Sequence, residues 1–125
     1  MTRIAIIGGG KIGEALISGL LQAGHAIKDL VVAEQYQPRA DELIAEYSIR
    51  VSTVADAAEG ADVIVIAVKP NDVESALTAL TKVDLDGDLE QLIVSLAAGI
   101  PTGFFETRLP AGFPVIRVMP NTPML

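Results

Sequence analysis

Short apolar runs alternate with segments of helical spacing along the chain. The runs predict six buried strands, at residues 4–7, 30–33, 50–52, 62–68, 92–96 and 114–118. Between them, apolar residues recur at helical spacing and predict five helices, at residues 11–23, 37–47, 54–59, from 70 onward, and 102–109. Strands covered by helices on both faces read as continuous apolar runs. The alternation predicts an α/β fold with a doubly wound parallel sheet of strand order 3-2-1-4-5-6.

The same spacing predicts which helical residues face the core. In the second helix and in the helix that Pro70 opens, the inward positions are expected to be Leu43, Ile44, Tyr47, Val73, Leu77 and Leu80. Proline suits the first turn of a helix because its missing N–H would have no partner there. Ser52 or Thr53 is placed to cap the short third helix.

A glycine-rich corner joins the first strand to the first helix. Gly8, Gly10 and Gly13 stand at the spacing G-x-G-x-x-G, which is typical of a turn that holds the diphosphate of a dinucleotide. Gly8 can adopt a conformation closed to residues with a Cβ, Gly10 lets a diphosphate approach the main chain, and Gly13 lets the helix press against the strand. The free N–H groups and the positive dipole end of the helix would face the phosphates. The motif and its context favour a Rossmann dinucleotide-binding fold over a glycine-rich turn without a ligand.

In such a sheet, ligands bind at the carboxyl ends of the strands, near the point where the strand order reverses. Those ends are followed by residues 8–13, Glu34, and residues 67–70, 96–99 and 119–123. Glu34 lies 21 residues after Gly13, where an acidic side chain binds the adenosine ribose in this fold. The alternative is an exposed glutamate that merely ends a strand. A carboxylate there would favour NADH over NADPH, whereas Arg39 could reach a 2′-phosphate and weaken that preference.

Three polar residues at these strand ends are candidates for contacts with a nicotinamide or a substrate. Lys69 could donate a proton, although a lysine at a strand end is more often solvated; its backbone, held by Pro70, is the better candidate for contacting the nicotinamide. Asn121 can donate and accept hydrogen bonds beside a carboxamide or a small substrate. Arg117 could anchor a carboxylate or serve as a structural cation.

Composition narrows the class of protein. The chain has 125 residues, which is one domain's worth. No apolar run approaches the ~20 residues that span a bilayer, and residues 1–3 leave no room for a signal peptide, so a cytoplasmic protein is expected.

Cysteine is absent and His25 is the single histidine, which excludes thiolate chemistry and histidine-based triads or zinc clusters within the chain. The net charge of −7, with scattered basic residues, disfavours nucleic acid as a partner.

Four segments resemble one enzyme family. They are Ile7-Gly8-Gly9-Gly10-Lys11-Ile12-Gly13, Ala67-Val68-Lys69-Pro70, Val94-Ser95-Leu96-Ala97-Ala98-Gly99-Ile100 and Arg117-Val118-Met119-Pro120-Asn121-Thr122-Pro123. The first is common to many dehydrogenases, whereas the last two, in this order and spacing, are specific to the amino-terminal half of pyrroline-5-carboxylate reductases. The resemblance implies an oxidoreductase that transfers hydride from NAD(P)H to the C=N bond of 1-pyrroline-5-carboxylate, the last step of proline biosynthesis.

The resemblance also implies roles for residues of this chain. The glycine corner would hold the diphosphate and Glu34 the adenosine ribose. Residues 67–70 and 96–98 would line the nicotinamide side, and Asn121 would lie at the edge that faces the substrate. The residues expected to bind NADPH or NADH are Ile7, Gly8, Gly9, Gly10, Lys11, Ile12, Gly13, Glu34, Ala67, Val68, Lys69, Pro70, Leu96, Ala97, Ala98 and Asn121.

The chain departs from the family pattern in two places. Thr53-Val54-Ala55 stands where the family often has an asparagine that contacts the adenosine ribose, so that contact is absent or replaced. The family also continues into a helical domain that forms the dimer and supplies most of the substrate site, whereas this sequence stops at Leu125. We therefore expect a fragment that binds cofactor with little turnover, its catalytic groups lying in the missing half and the full-length protein being a homo-oligomer. The alternatives are a relative that acts on another imine or a hydroxyacid, and an NAD(H)-binding regulatory module without catalysis.

Overall fold

A six-stranded parallel sheet forms the centre of the molecule. The computed structural model describes residues 2–81, 91–97, 99–109 and 113–118. Within these ranges the strands are β1 (Ile4–Ile7), β2 (Leu30–Ala33), β3 (Arg50–Ser52), β4 (Val63–Ile66), β5 (Leu92–Ser95) and β6 (Val115–Arg117). They pair in parallel in the order β3-β2-β1-β4-β5-β6. The predicted fold class and strand order are confirmed.

Helices connect the strands on both faces of the sheet. Those in the described ranges are α1 (Lys11–Gln22), α2 (Gln37–Tyr47), α3 (Val54–Ala58), α4 (Val73–Leu80) and α5 (Thr102–Glu106). The helix expected from Pro70 begins with a 3₁₀ turn, Pro70–Asp72, before it continues as α4. Thr53, one of the two predicted caps, accepts a hydrogen bond from the Asp56 N–H at 3.2 Å. Among the described residues, no helix combines the length and apolarity needed to cross a membrane.

The fourth strand ends earlier than its apolar run. The run predicts a strand over residues 62–68, but the ladder between β1 and β4 closes with the pair Ile7 and Ile66. Beyond this pair, β1 turns into the glycine corner. The last hydrogen bond between the two strands runs from the Ala67 N–H to the Ile7 carbonyl at 2.8 Å. Residues 67 and 68 are thereby released from the ladder beside the corner, which is where the candidate site lies.

The core consists of two clusters, one on each face of the sheet. Alternate strand residues point to opposite faces, so Ile7 packs with α3, α4 and α5 while Ile6 packs with α1 and α2. Val73, Leu77 and Leu80 are buried as predicted. The inward placement of Ile44 is wrong, since its side chain is 45% exposed. Leu43, one position earlier, is fully buried, and a step of 100° around the helix carries the next residue off that buried face.

Candidate functional site

At two positions of the corner between β1 and α1, Gly8 and Gly13, a side chain would press against main-chain atoms. Gly8 has φ +110°, and a Cβ there would lie 2.9 Å from the Ala67 carbonyl oxygen at the end of β4. A Cβ on Gly13 would overlap the Gly8 carbonyl oxygen. Both glycines therefore let α1 and β4 close on the corner, as the sequence predicts for Gly13.

Gly10 differs from these two because the fold does not require it to be glycine. A Cβ at Gly10 would meet no atom within 4 Å, and its φ of −72° is open to any residue. The space above Gly10 is consequently free for a ligand that approaches the main chain. The motif predicts that a diphosphate occupies this space.

The N-terminus of α1 presents unpaired donors at the same corner. Gly10 is the N-cap and no side chain caps the helix. The first bond of the helix runs from the Glu14 N–H to the Gly10 carbonyl at 2.9 Å, so the N–H groups of the residues before Glu14 precede the helical ladder. With the positive end of the helix dipole, these donors can bind an anion such as a phosphate.

Glu34 lies beside the glycine corner at the end of β2. Its Oε1 accepts a hydrogen bond from the Gly9 N–H and its Oε2 one from the Tyr36 N–H, each at 3.0 Å. A carboxylate offers about four acceptor positions, so two main-chain donors leave room for a ribose hydroxyl. Glu34 is therefore more than an exposed residue at the end of a strand: it joins the corner to the start of α2.

Arg39 is directed to the glycine corner rather than to open space. Its Nε donates to the Gly9 carbonyl at 2.6 Å, and its terminal nitrogens contact Glu14 and Glu42. Tyr47 donates its hydroxyl proton to the second oxygen of Glu14 at 2.9 Å. The hydrogen bond from Arg39, followed by that from Tyr47, holds the pKa of Glu14 below its ordinary value, and the same carboxylate raises the pKa of Tyr47.

A groove of about 390 Å³ runs along the carboxyl ends of β1, β2 and β4. It is lined by eight of the predicted residues, which are Ile7, Gly8, Gly9, Gly10, Glu34, Ala67, Val68 and Lys69. Gly10 and Lys11 also border a second, more open hollow with Glu14, Arg39 and Tyr47. The groove thus brings together the residues of three separate strand ends, as the parallel topology predicts.

Other predicted residues stand apart from this lining. Ile12, Gly13, Pro70, Leu96 and Ala97 do not line the groove, and Ala97 is buried, its N–H bonded to the Ser95 hydroxyl at 3.3 Å. Ala98 and Asn121 lie outside the described residues. For all of the residues named in this paragraph, the assignment to the cofactor site remains a prediction.

Several residues that line the groove were not predicted from the sequence. Tyr36, which lines the groove, has a side chain 67% exposed; an aromatic residue two positions after the acid that ends β2 is the signal that could have drawn attention to it. Val54 lines the groove from the segment where the family often has asparagine. Among the described residues there is no group of three or more histidine, cysteine, aspartate or glutamate side chains placed to hold a metal ion.

The fold and the glycine corner together define the class of this protein. A parallel sheet in this order, with a glycine-rich turn between its first strand and its first helix, is a Rossmann-type fold. Residues 3–99 match the family described as "NADP oxidoreductase coenzyme F420-dependent", and the chain belongs to that family. This description names NADP, which agrees with the predicted nicotinamide dinucleotide, and also names coenzyme F420.

Individual relatives narrow the resemblance further. The chain is 52% identical over 128 residues to the pyrroline-5-carboxylate reductase of Mycobacterium tuberculosis and 52% identical over 127 residues to that of Mycobacterium leprae. Each alignment covers 100% of this chain and 43% of the relative. The solved structure of a pyrroline-5-carboxylate reductase from Coxiella burnetii superimposes with a TM-score of 0.89 at 28% identity, over 98% of this chain and 45% of that one. The predicted resemblance to pyrroline-5-carboxylate reductases is confirmed, and the chain spans less than half the length of these relatives.

Proposed function

We propose that this chain is the cofactor-binding part of a pyrroline-5-carboxylate reductase and that it binds NADPH or NADH at the glycine corner. The observation that carries the proposal is Gly10, where the fold leaves open the space that a Cβ would enter. Gly8 and Gly13 are needed for packing, so they would be glycine with or without a ligand. A glycine that packing does not need, at the N-terminus of α1, supports a diphosphate there.

The residues of the groove divide the cofactor between them. In the proposal, the N–H groups of Gly10, Lys11 and Ile12 bind the diphosphate, and Glu34 accepts hydrogen bonds from the adenosine ribose. The exposed ring of Tyr36 offers a flat apolar surface to the adenine. The main chain at residues 67–70, with residues 96–98 and Asn121, orients the nicotinamide and faces the substrate.

The reaction that we propose is reduction of the C=N bond of 1-pyrroline-5-carboxylate to give proline. When bound, the nicotinamide supplies the hydride, so the protein has to position the two reactants and support the charge on the imine nitrogen. The relatives are more than twice as long as the matched segment. We therefore assign the groups that contact the imine, and the contacts between subunits, to a further domain beyond these 125 residues.

Titration of NADH into the protein and its Gly10→Ala variant tests the cofactor site. We expect saturable binding by the unchanged protein, and binding weakened by at least about tenfold in the variant because the added methyl group holds the diphosphate away from the main chain. The unfolding free energy should change by less than ~1 kcal/mol, since only the preference at the helix N-cap is affected.

Gly19→Ala is the matched control for this experiment. Gly19 lies in α1, and a Cβ there would also meet no atom within 4 Å, but it is more than two turns away from the corner. The affinity of the Gly19→Ala variant for NADH should equal that of the unchanged protein. Equal binding by the Gly10→Ala variant would overturn the assignment of the diphosphate to this corner.

A further inference from the structure

The guanidinium group of Arg39 makes contacts through all three of its nitrogens. Nε donates to the Gly9 carbonyl oxygen at 2.6 Å, and Nη2 lies 3.5 Å from the Gly10 carbonyl oxygen and bonds Glu14. Nη1 donates to Glu42 at 3.1 Å. The side chain is held in a single place by partners on the glycine corner, on α1 and on α2.

Both the N–H and the carbonyl of Gly9 are hydrogen-bonded to side chains, one from the end of β2 and one from α2. Its N–H donates to Glu34, the residue after β2, and its carbonyl accepts from Arg39 of α2. Across a trans peptide bond the carbonyl of one residue points opposite to the N–H of the next. The Gly9 carbonyl faces Arg39, so the Gly10 N–H must point away from Arg39.

We propose that Arg39 is a positioning residue of the glycine corner and not a ligand of a 2′-phosphate. By holding the carbonyl side of the corner, it keeps the N–H groups of Gly10 and Lys11 turned toward the diphosphate before the cofactor arrives. This inference rests on the proposed function for its effect on cofactor binding, whereas its effect on the corner can be measured without any ligand.

The charges around Arg39 support this assignment. Glu14 and Glu42 both contact the guanidinium, so two carboxylates offset the single positive charge that a 2′-phosphate would need. Tyr47 fixes the other oxygen of Glu14, which keeps that carboxylate from rotating away. Binding of a 2′-phosphate by Arg39 would require these contacts and the one to Gly9 to be given up.

Comparison of NADH and NADPH binding separates the two roles of Arg39. In an Arg39→Met variant we expect the affinity for both cofactors to fall by about tenfold, with their ratio unchanged within about twofold, because the lost contact acts on the diphosphate that both share. A loss confined to NADPH would show that Arg39 is a 2′-phosphate ligand and would overturn the proposal. Unchanged affinity for both cofactors would also overturn it.

Two further variants control for charge and for geometry. Arg50→Met removes the same charge from an exposed residue of β3 and should change neither affinity by more than about twofold. Arg39→Lys keeps the charge but loses the planar fork of donors, so it should recover only part of the affinity lost in Arg39→Met. Full recovery by lysine would mean that charge, and not the hold on the corner, is what matters.

Backbone amide spectra test the hold on the corner in the absence of cofactor. The amide resonances of Gly9 and Gly10 should shift in Arg39→Met, and the Gly9 N–H should exchange faster with solvent, while both stay unchanged in Arg50→Met. Tyr47→Phe should move them in the same direction by less, which gives a second reading if Arg39→Met folds poorly. Unmoved resonances would overturn the proposal for Arg39, whereas failure of the unchanged protein to bind any dinucleotide would instead overturn the proposed function.

Discussion

On the β2 side of the groove, polar side chains hold the main chain by hydrogen bonds, whereas on the β4 side the described lining is divided between small or apolar residues and exposed polar ones. Glu34 and Arg39 together hold both ends of Gly9. Across the groove, Ala67, Val68 and Ala76 line the wall, with the exposed residues Lys69, Asp72 and Ser75 at its edge. In the proposed cofactor site, the half assigned to adenosine is therefore organised before the cofactor binds. The half assigned to nicotinamide has fewer fixed contacts among the described residues.

Fragments of the cofactor test this comparison most directly. ADP-ribose contains the adenosine and the diphosphate, whereas nicotinamide mononucleotide contains only the other half. If the organised half supplies most of the binding, ADP-ribose should bind at least about a hundredfold more tightly than the mononucleotide, a difference of ~3 kcal/mol. Calorimetric titration of each fragment measures this directly. Similar affinities would show that the β4 wall is better organised than its lining indicates.

Two alanine substitutions on α1 separate packing from helix propensity. Gly13→Ala should lower the free energy of unfolding by about 1–3 kcal/mol because its methyl group overlaps the Gly8 carbonyl and pushes α1 off the sheet. Gly19→Ala, on the same helix but facing open space, should raise it by ~0.5–1 kcal/mol. Urea unfolding of the two variants gives both values, and a shift of the same sign in both would contradict the close packing at Gly13.

Much of the fold could be predicted from the sequence because it depends on local patterns. Continuous apolar runs placed the strands, and the spacing of Gly8, Gly10 and Gly13 placed the corner. The network of Arg39 could not be predicted in this way, since Glu14 lies 25 residues before it in the chain. Side chains on two helices meet only after both have docked on the sheet. Ile44 was misplaced for a related reason: spacing indicates the buried face of a helix but not its width.

Tyr36 gives a smaller test of the same comparison, on the outer edge of the organised half. Tyr36→Ala should weaken binding of ADP-ribose by about fivefold, because stacking on an exposed ring contributes a free energy at the low end of the range for base stacking. Tyr36→Phe should restore the affinity. Tyr36 and Tyr47 are the two tyrosines and tryptophan is absent. In a Tyr47→Phe background, quenching of the remaining tyrosine emission by ADP-ribose should report the contact. If the tyrosine emission does not change on addition of ADP-ribose, Tyr36 does not contact the ligand.

The pH dependence of Glu14 should give the smallest effect. Its pKa lies below the ordinary value of 4.5 because it accepts hydrogen bonds from Arg39 and Tyr47, so its ionised form favours the folded state. That contribution is present above about pH 4.5 and is lost as the pH falls through the lowered pKa. The melting temperature of the protein should exceed that of Glu14→Gln at pH 7, and the gap should close on acidification. Glu106→Gln, on an exposed position of α5, should show no such closing gap; an equal gap at every pH would contradict the role of Glu14 charge.

The two hydrogen bonds that Glu34 accepts from the main chain have a consequence for redesign of the coenzyme preference. Exchanging the acid that ends β2 is the obvious route to an enzyme that accepts NADPH, but here the same carboxylate secures Gly9 and the start of α2. Under the proposed assignment of Glu34 to the adenosine ribose, a swap there would alter selectivity and at the same time loosen the corner. Gln35, which lines the groove beside it, is the better position at which to introduce a cation.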